Sequence, residues 1–316
     1  MNIDDSYEEI RSAVRALCAQ FPDEYFRKID LERGYPEEFV RALTDAGWLA
    51  ALIPQEYGGS GLSLAEASVI MEEINRSGGN SGACHGQMYV MNVLVRHGSQ
   101  QQREFYLPKI ASGELRLQSM AVTEPTTGTD TTKLKTTAVR KGDRYVINGQ
   151  KVWTSRVRHS ELMLLLARTT PLSEVKKKSE GLSVFMVDLR EAIGKGLNLR
   201  PIENMVNHET SELFFDDLEV PVENLIGEEN AGWTYAKYLL GHERSGIAGI
   251  GHCHRELAIL KSLAERMMAS GESVSLNPRV RDSINRVEAQ VLALEMMVLR
   301  VAADEATEPG PKASIL

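Results

Sequence analysis

Hydrophobic periodicity changes twice along this chain, and that change limits the folds open to it. Up to about residue 113 apolar residues recur at helical spacing, as at Ile10, Val14 and Leu17. Short segments rich in β-branched and apolar residues replace this pattern from 115 to about 222, and helical spacing returns from 232 to 304. The order predicts an α+β protein with an N-terminal helical domain at 1–114, a middle antiparallel β domain at 115–225 and a C-terminal helical domain at 226–316.

Turn residues divide the middle region into short strands. The expected strands are Thr136–Val139, Arg144–Ile147, Lys151–Thr154, Glu161–Ala167, Leu182–Val187 and Glu212–Phe215. Asn148–Gly149 stands between YVI and KVW, and both residues tolerate the positive φ of a type I′ turn. We therefore predict a tight antiparallel hairpin at Asn148–Gly149.

Charge and cysteine content exclude several classes of protein. With 36 Lys+Arg against 44 Asp+Glu the formal charge is -8, which gives no electrostatic reason to expect nucleic acid as a partner. No apolar run approaches the roughly 20 residues that span a bilayer, so membrane insertion is not expected. Cys18, Cys84 and Cys253 are odd in number and widely spaced, which predicts a reducing, cytoplasmic location.

Two superficial motifs near residue 250 do not support a site of their own. Gly246, Gly249 and Gly251 lack dinucleotide-loop spacing, and they continue a helical pattern instead of following a strand. His252 and His254 point to nearly opposite faces of a helix, so no metal site is expected. The chain also has no GxSxG or Walker-type loop, which leaves hydrolase and kinase functions without support.

Two polar segments of the β region are the best candidates for ligand binding. TEPTTGTD, at Thr123–Asp130, combines small side chains, hydroxyls and a glycine, which suits contact with a polar ligand edge or phosphate. In the second segment Trp153 stands beside Thr154 and Ser155, so an aromatic face and hydroxyl donors are available to a planar heterocycle. A solvated loop remains the alternative for Thr123–Asp130.

Together with the GGSG loop after PQEY and the segment from Val220 to Trp233, these motifs resemble the acyl-CoA dehydrogenase family. The resemblance covers nearly the whole chain and keeps the order and separations of the family's motifs. It implies the same α+β architecture, with a C-terminal helical bundle that is incomplete because the family continues beyond the position of Leu316.

The resemblance also implies a flavin site. In the family the isoalloxazine ring of FAD lies between the β domain and the C-terminal helices. The positions that match its cofactor contacts are Met120, Ala121, Val122, Thr123, Gly128, Thr129, Trp153, Thr154 and Ser155. Thr129 also matches a contact of the CoA thioester, and Ser155 keeps the hydroxyl of the threonine that is usual there.

The implied reaction is α,β-dehydrogenation of an acyl-CoA, in which a carboxylate removes the α-proton and a hydride passes from the β-carbon to flavin N5. Glu243 matches one position of this base, and Gly241, His242 and Arg244 match neighbouring substrate contacts. On a helix Glu243 shares its face with apolar residues such as Ile247. The alternative is that Glu243 only pairs with Arg244 or another cation.

Further expectations follow from the resemblance. They are an electron-transferring flavoprotein as redox partner, assembly into a homo- or hetero-oligomer, and a role in fatty acid or lipid metabolism such as β-oxidation. Two other functions remain open, namely a non-catalytic partner subunit of a heteromeric acyl-CoA dehydrogenase and a related flavin monooxygenase.

Overall fold

A computed structural model describes the backbone of residues 7–206, 208–247, 249–269 and 272–305, and the side chains of these residues except 240–247, 269 and 301–305. The helices are α1 (Glu8–Cys18), α2 (Asp23–Leu31), α3 (Glu37–Asp45), α4 (Leu64–Arg76), α5 (Gly82–Val90), α6 (Asn92–His97), α7 (Gln100–Ala111), α8 (Leu189–Ala192), α9 (Gly232–Ile247), α10 (Ile250–Arg266) and α11 (Pro278–Glu305). The strands are β1 (Leu117–Ala121), β2 (Thr137–Lys141), β3 (Arg144–Ser155), β4 (Leu162–Arg168), β5 (Leu182–Asp188), β6 (Leu197–Pro201), β7 (Thr210–Pro221), β8 (Leu225–Ile226), β9 (Met268–Ala269) and β10 (Glu272–Ser273).

The chain divides into two compact units. The first unit comprises Met1–Phe26, Ser63–Ser81 and Gly241–Leu316, and the second comprises Arg27–Leu62 and Gly82–Leu240. Among the described residues, no helix combines the length and apolar character that crossing a membrane requires.

The first unit is built from helices, with α4 packed against α1, α10 and α11. Helix α4 begins at a reciprocal capping box that Ser63 and Glu66 form. Between α1 and α4 the buried guanidinium of Arg11 donates to Glu72 and Glu73, each at 2.9 Å. The helical core is therefore held partly by a buried ion-pair network.

The second unit contains an eight-stranded sheet in the order β6-β7-β3-β2-β4-β5-β8, with β1 paired to β4. Central strands β4 and β5 are almost entirely apolar and buried, as expected for strands covered on both faces. Most neighbouring pairs are antiparallel, as the sequence predicts, but β1 and β2 each run parallel to β4. The sheet is therefore mixed, because long connections return the chain to β4 in the same direction.

The predicted hairpin at Asn148–Gly149 is wrong. The β2–β3 turn lies earlier, at Gly142 with φ 64°, and β3 runs without a turn from Arg144 to Ser155. The Asn148 amide instead donates to Asp217 Oδ1 at 2.8 Å and accepts from the Asp217 backbone N–H at 2.9 Å. These bonds to β7 turn the Asn-Gly pair into a bulge within one long strand.

The helical pattern predicted through Gly246–Gly251 is interrupted. Helix α9 ends at Ile247 and α10 begins at Ile250, after Gly249 with φ 59°. Glycine adopts this left-handed conformation at little cost, which allows the chain to change direction there. The spacing of apolar residues did not indicate this break between α9 and α10, because helical spacing occurs both before and after it.

Candidate functional site

The β sheet of the second unit brings two polar segments side by side. We call Met120–Thr129 the first site segment and Trp153–Ser155 the second site segment. The Val152 backbone N–H, just before the second segment, donates to the Thr123 carbonyl at 2.9 Å. The two candidates that the sequence singles out therefore belong to one surface of the sheet, although about thirty residues separate them in the chain.

Trp153 has an unusual conformation. Its φ is 63°, and 60% of its surface is exposed although it lies within β3. The register between β3 and β7 shifts between Lys151 and Thr154, so a bulge turns the indole away from the sheet. A bulky residue with positive φ is strained, and such strain is concentrated at functional sites. The bulge therefore leaves a flat aromatic surface exposed.

Buried hydroxyl groups in both segments lack partners. Thr154 is 1% exposed and Thr127 is 7% exposed, and neither Oγ1 atom has a hydrogen-bond partner within the described part of the chain. Ser211, opposite Thr154 on β7, shares this property. Leaving a buried hydroxyl unpaired costs free energy, which a ligand with polar edges would recover. The neighbouring Ser155 Oγ lies 3.5 Å from Thr210 Oγ1.

The strand part of the first segment contributes mainly its backbone. Met120 and Val122 are half-buried and pack against an apolar core of the second unit. Ala121 is fully buried in a second core cluster, so its side chain is closed to a ligand. Contacts from Ala121 are thus limited to its peptide groups.

The turn part of the first segment is open. Glu124 and Thr127 exchange two backbone hydrogen bonds, of 3.3 and 3.1 Å, that close the turn. Thr123 is half-buried before it, while Gly128 and Thr129 are exposed after it. The predicted contacts Gly128 and Thr129 are therefore accessible.

A buried ion pair, which the sequence motifs did not predict, underlies both segments. Lys151 Nζ lies 2.9 Å from Glu124 Oε1, with the lysine side chain 0% and the glutamate side chain 4% exposed. Burial lowers the pKa of Lys151 to about 8, although Glu124 opposes this shift. Burial also acts to raise the pKa of Glu124, but Lys151 and the backbone N–H groups of Lys135 and Thr136 outweigh it, so the pKa is lowered. For Lys151 the available signal was a charged residue at a position that strand alternation buries, whereas Glu124 lies in a turn and offered no such signal.

Arg168, at the end of β4, holds the loop that follows the first segment. It is 5% exposed, and burial lowers its pKa. Its guanidinium donates to the backbone carbonyls of Thr132, Leu134, Thr170, Lys178 and Glu180. One buried cation thereby fixes two loops at the edge of the site, and no sequence motif indicated it.

The predicted base and substrate contacts lie on α9. The backbone of Gly241, His242, Glu243 and Arg244 is helical, and the side chains of the last three lie outside the described part of the chain. Their roles remain predictions.

In the first unit, three side chains of the kind that bind metals lie together. One ligand atom from each of Glu72, His254 and Glu295 falls within 4.8 Å of the others. Both Glu72 oxygens already accept hydrogen bonds from Arg11, at 2.9 and 3.2 Å. The guanidinium therefore already supplies a positive partner for Glu72, and the cluster is better described as part of the ion-pair network.

Three family models together match most of the chain. They describe the N-terminal domain of acyl-CoA dehydrogenase at residues 4–114, its middle domain at 119–218 and its C-terminal domain at 230–316.

Individual proteins that are similar to this chain also include acyl-CoA dehydrogenases. Acyl-CoA dehydrogenase FadE26 of Mycobacterium tuberculosis is 35% identical over 319 residues, which cover 96% of this chain and 75% of that protein. The structure of an acyl-CoA dehydrogenase from Geobacillus kaustophilus superposes with a TM-score of 0.91 at 26% identity, over 100% of this chain and 83% of the other. A chain of the ChsE4-ChsE5 complex from Mycobacterium tuberculosis gives a TM-score of 0.86 at 32% identity, over 100% and 81%.

Proposed function

Because this chain belongs to the acyl-CoA dehydrogenase family and is an FAD-dependent oxidoreductase, we propose that it catalyses α,β-dehydrogenation of an acyl-CoA thioester with Glu243 as the base. The observation that carries the proposal is the junction of the two site segments at the Val152–Thr123 hydrogen bond, beside the exposed indole of Trp153. The segments that carry the resemblance to the family are therefore also joined in the structure.

The residues of the two site segments suit FAD. A flavin ring offers a planar aromatic surface to Trp153 and polar edges to hydroxyls such as those of Thr154 and Ser155. Thr127 Oγ1 and the exposed peptide groups at Gly128 would serve the polar parts of the cofactor. When bound, FAD supplies the hydride acceptor.

The chain's own residues then orient the substrate and move a proton. In our proposal the Glu243 carboxylate accepts the α-proton of the acyl group, while Gly241, His242 and Arg244 hold the substrate beside it. Thr129, exposed at the end of the first segment, contributes to binding of the thioester. Holding base, substrate and acceptor together supplies much of the expected rate, because orientation replaces chance encounter.

We further propose an electron-transferring flavoprotein as the redox partner and assembly into an oligomer. The three free cysteines are consistent with the proposed cytoplasmic location, in fatty acid or lipid metabolism.

The base is tested with Glu243→Gln, which removes the carboxylate charge at nearly constant shape. FAD-loaded protein is mixed anaerobically with a panel of acyl-CoAs, and bleaching of the flavin absorbance is followed. Because general-base catalysis contributes about 10²–10⁴-fold, we expect the rate to fall by about that factor while FAD content stays unchanged.

Glu265→Gln provides a matched control, since Glu265 is an exposed glutamate on α10. In the Glu265→Gln variant, acyl-CoA should bleach the flavin absorbance at the wild-type rate. The proposal is wrong if Glu243→Gln bleaches as fast as this control, or if no acyl-CoA bleaches the wild-type flavin.

A second candidate is a partner subunit in a complex of two unlike chains. It is favoured by the 32% identity to a chain of the ChsE4-ChsE5 complex. In that case the protein copurifies with a related chain in fixed stoichiometry, and Glu243→Gln leaves the activity of the complex unchanged. Oxygen uptake in a parallel assay in air would instead indicate the monooxygenase alternative.

A further inference from the structure

We propose that Glu124 and Lys151 are positioning residues, and that their buried ion pair sets the two site segments in the arrangement that binds FAD before the cofactor arrives. This inference rests on the proposed function and deepens it, because it assigns a role to two residues that do not themselves contact substrate or reacting atoms.

Lys151 connects three parts of the chain. Its Nζ donates to the Val122 carbonyl at 2.9 Å and to Glu124 Oε1 at 2.9 Å, so it ties β3 to both the strand and the turn of the first site segment. The Trp153 bulge begins immediately after it. Any displacement of Lys151 is therefore passed directly to the second site segment.

Glu124 fixes the opposite side. Besides Lys151, its carboxylate accepts the backbone N–H of Lys135 at 2.7 Å and that of Thr136 at 2.9 Å. These donors precede β2, so the carboxylate joins the turn to the start of the next strand. Three donors on one buried carboxylate leave it little freedom, and the turn that carries Thr127 is correspondingly fixed.

Stability alone does not account for this arrangement. Removing two charges from water is costly, and apolar residues of similar volume often replace a buried ion pair without loss of stability. What apolar residues would not reproduce is the directed hydrogen bond to the Val122 carbonyl and the two from Lys135 and Thr136. Those bonds define how the two site segments lie relative to each other, which is the property a rigid planar cofactor requires.

The pair also lies at the point where the segments carry unsatisfied groups. Thr127 follows Glu124 by three residues and Thr154 follows Lys151 by three, and both have buried hydroxyls without partners in the described residues. Trp153, which directly precedes Thr154, is exposed and has a strained positive φ. The ion pair is thus close in sequence to each of the groups that would meet the cofactor in our proposal.

The test compares Glu124→Gln, Lys151→Met and the double variant with wild type. Each protein is freed of cofactor and checked for folding by near-ultraviolet circular dichroism, and its FAD affinity is then measured by quenching of flavin fluorescence. We expect each single variant to weaken FAD binding at least about tenfold. The double variant should be about as weak as either single variant, because both changes break the same device.

Glu73→Gln is the matched control. Glu73 is equally buried and accepts hydrogen bonds from Arg11 and Arg15, but it belongs to the first unit. It should lower the unfolding midpoint and leave FAD affinity and the absorption spectrum of bound flavin unchanged. Glu124→Gln and Lys151→Met should alter that spectrum, since a merely destabilised protein would bind the ring in the same environment.

A second test uses only the wild-type protein, so its result does not depend on whether the variants fold. Hydrogen exchange of the Lys135 and Thr136 amides should already be slow in the apoprotein, because the carboxylate of Glu124 holds them before FAD is added. The inference is overturned if these amides exchange as fast as exposed loop amides until FAD is present.

The inference is also overturned if either single variant binds FAD within about twofold of wild type, or if Glu73→Gln weakens FAD binding equally. Wild type that binds FAD but is not bleached by acyl-CoA would contradict the proposed function and leave this inference standing.

Discussion

At the scale of single residues, His159 of the second unit is held in an aromatic stack. His159 stacks on Tyr35 with ring centroids 4.3 Å apart and planes 7° from parallel. The Tyr35 hydroxyl donates to Gln118 Oε1 at 2.6 Å, which links the stack to β1 at the start of the first site segment. Burial, followed by the charge of Arg158, lowers the pKa of His159, so the neutral ring is the form that packs.

This shift predicts how stability depends on pH. The unfolded chain has a histidine pKa of about 6.5 and the folded His159 a lower one, so between these values the unfolded state binds more protons. Stability should therefore rise with pH through that window and level off above it. His159→Phe keeps the stack and removes the titration, so its unfolding midpoint in urea should vary less between about pH 5 and about pH 7. Tyr35→Phe should retain the wild-type slope, and equal slopes in all three proteins would contradict the assignment.

At the scale of elements, close approach of backbones determines which helices and strands can meet. A Cβ placed on Gly251 of α10 would lie 1.9 Å from the Glu72 carbonyl of α4. The two helices can be in contact at this point only because the side chain is a hydrogen atom. The carbonyl belongs to a helix backbone and has little room to move.

Gly251→Ala should therefore separate α4 from α10. Overpacking of this kind typically costs about 1–3 kcal/mol, and the clash with backbone places this variant at the upper end. Ser262→Ala, at an exposed position of the same helix, should change the free energy of unfolding by no more than about 0.5 kcal/mol. Denaturant titration of both variants checks the prediction, and similar values for the two would contradict the close packing.

For the whole molecule, cofactor binding and folding are coupled. A ligand that binds only the folded state at 100 times its Kd stabilises it by about 2.7 kcal/mol, which should raise Tm by several degrees. We expect this shift with FAD and a much smaller one with NAD, a dinucleotide that lacks the flavin ring. Differential scanning fluorimetry of the cofactor-free protein measures both. Equal shifts with the two dinucleotides would mean that the ring is not recognised.

Features that depend on neighbouring residues could be predicted from the sequence, and features that depend on distant residues could not. Strands β4 and β5 lie within one residue of the predicted Glu161–Ala167 and Leu182–Val187, because the apolar runs that indicate them act locally. The site motifs were found in the same way, since TEPTTGTD and the Trp153 segment are each continuous. None of these signals states which strand pairs with which.

The sequence by itself determined the order of helical and strand regions and the two segments that the proposed site uses, because periodicity and turn chemistry depend on neighbouring residues. Only the tertiary structure decided that Asn148–Gly149 is a bulge and not a hairpin, and that β1 lies parallel to β4. It alone joined Glu124 to Lys151, 27 residues apart. A charged side chain is buried only when a distant part of the chain supplies its partner, and a turn forms only when no better partner competes for its polar groups.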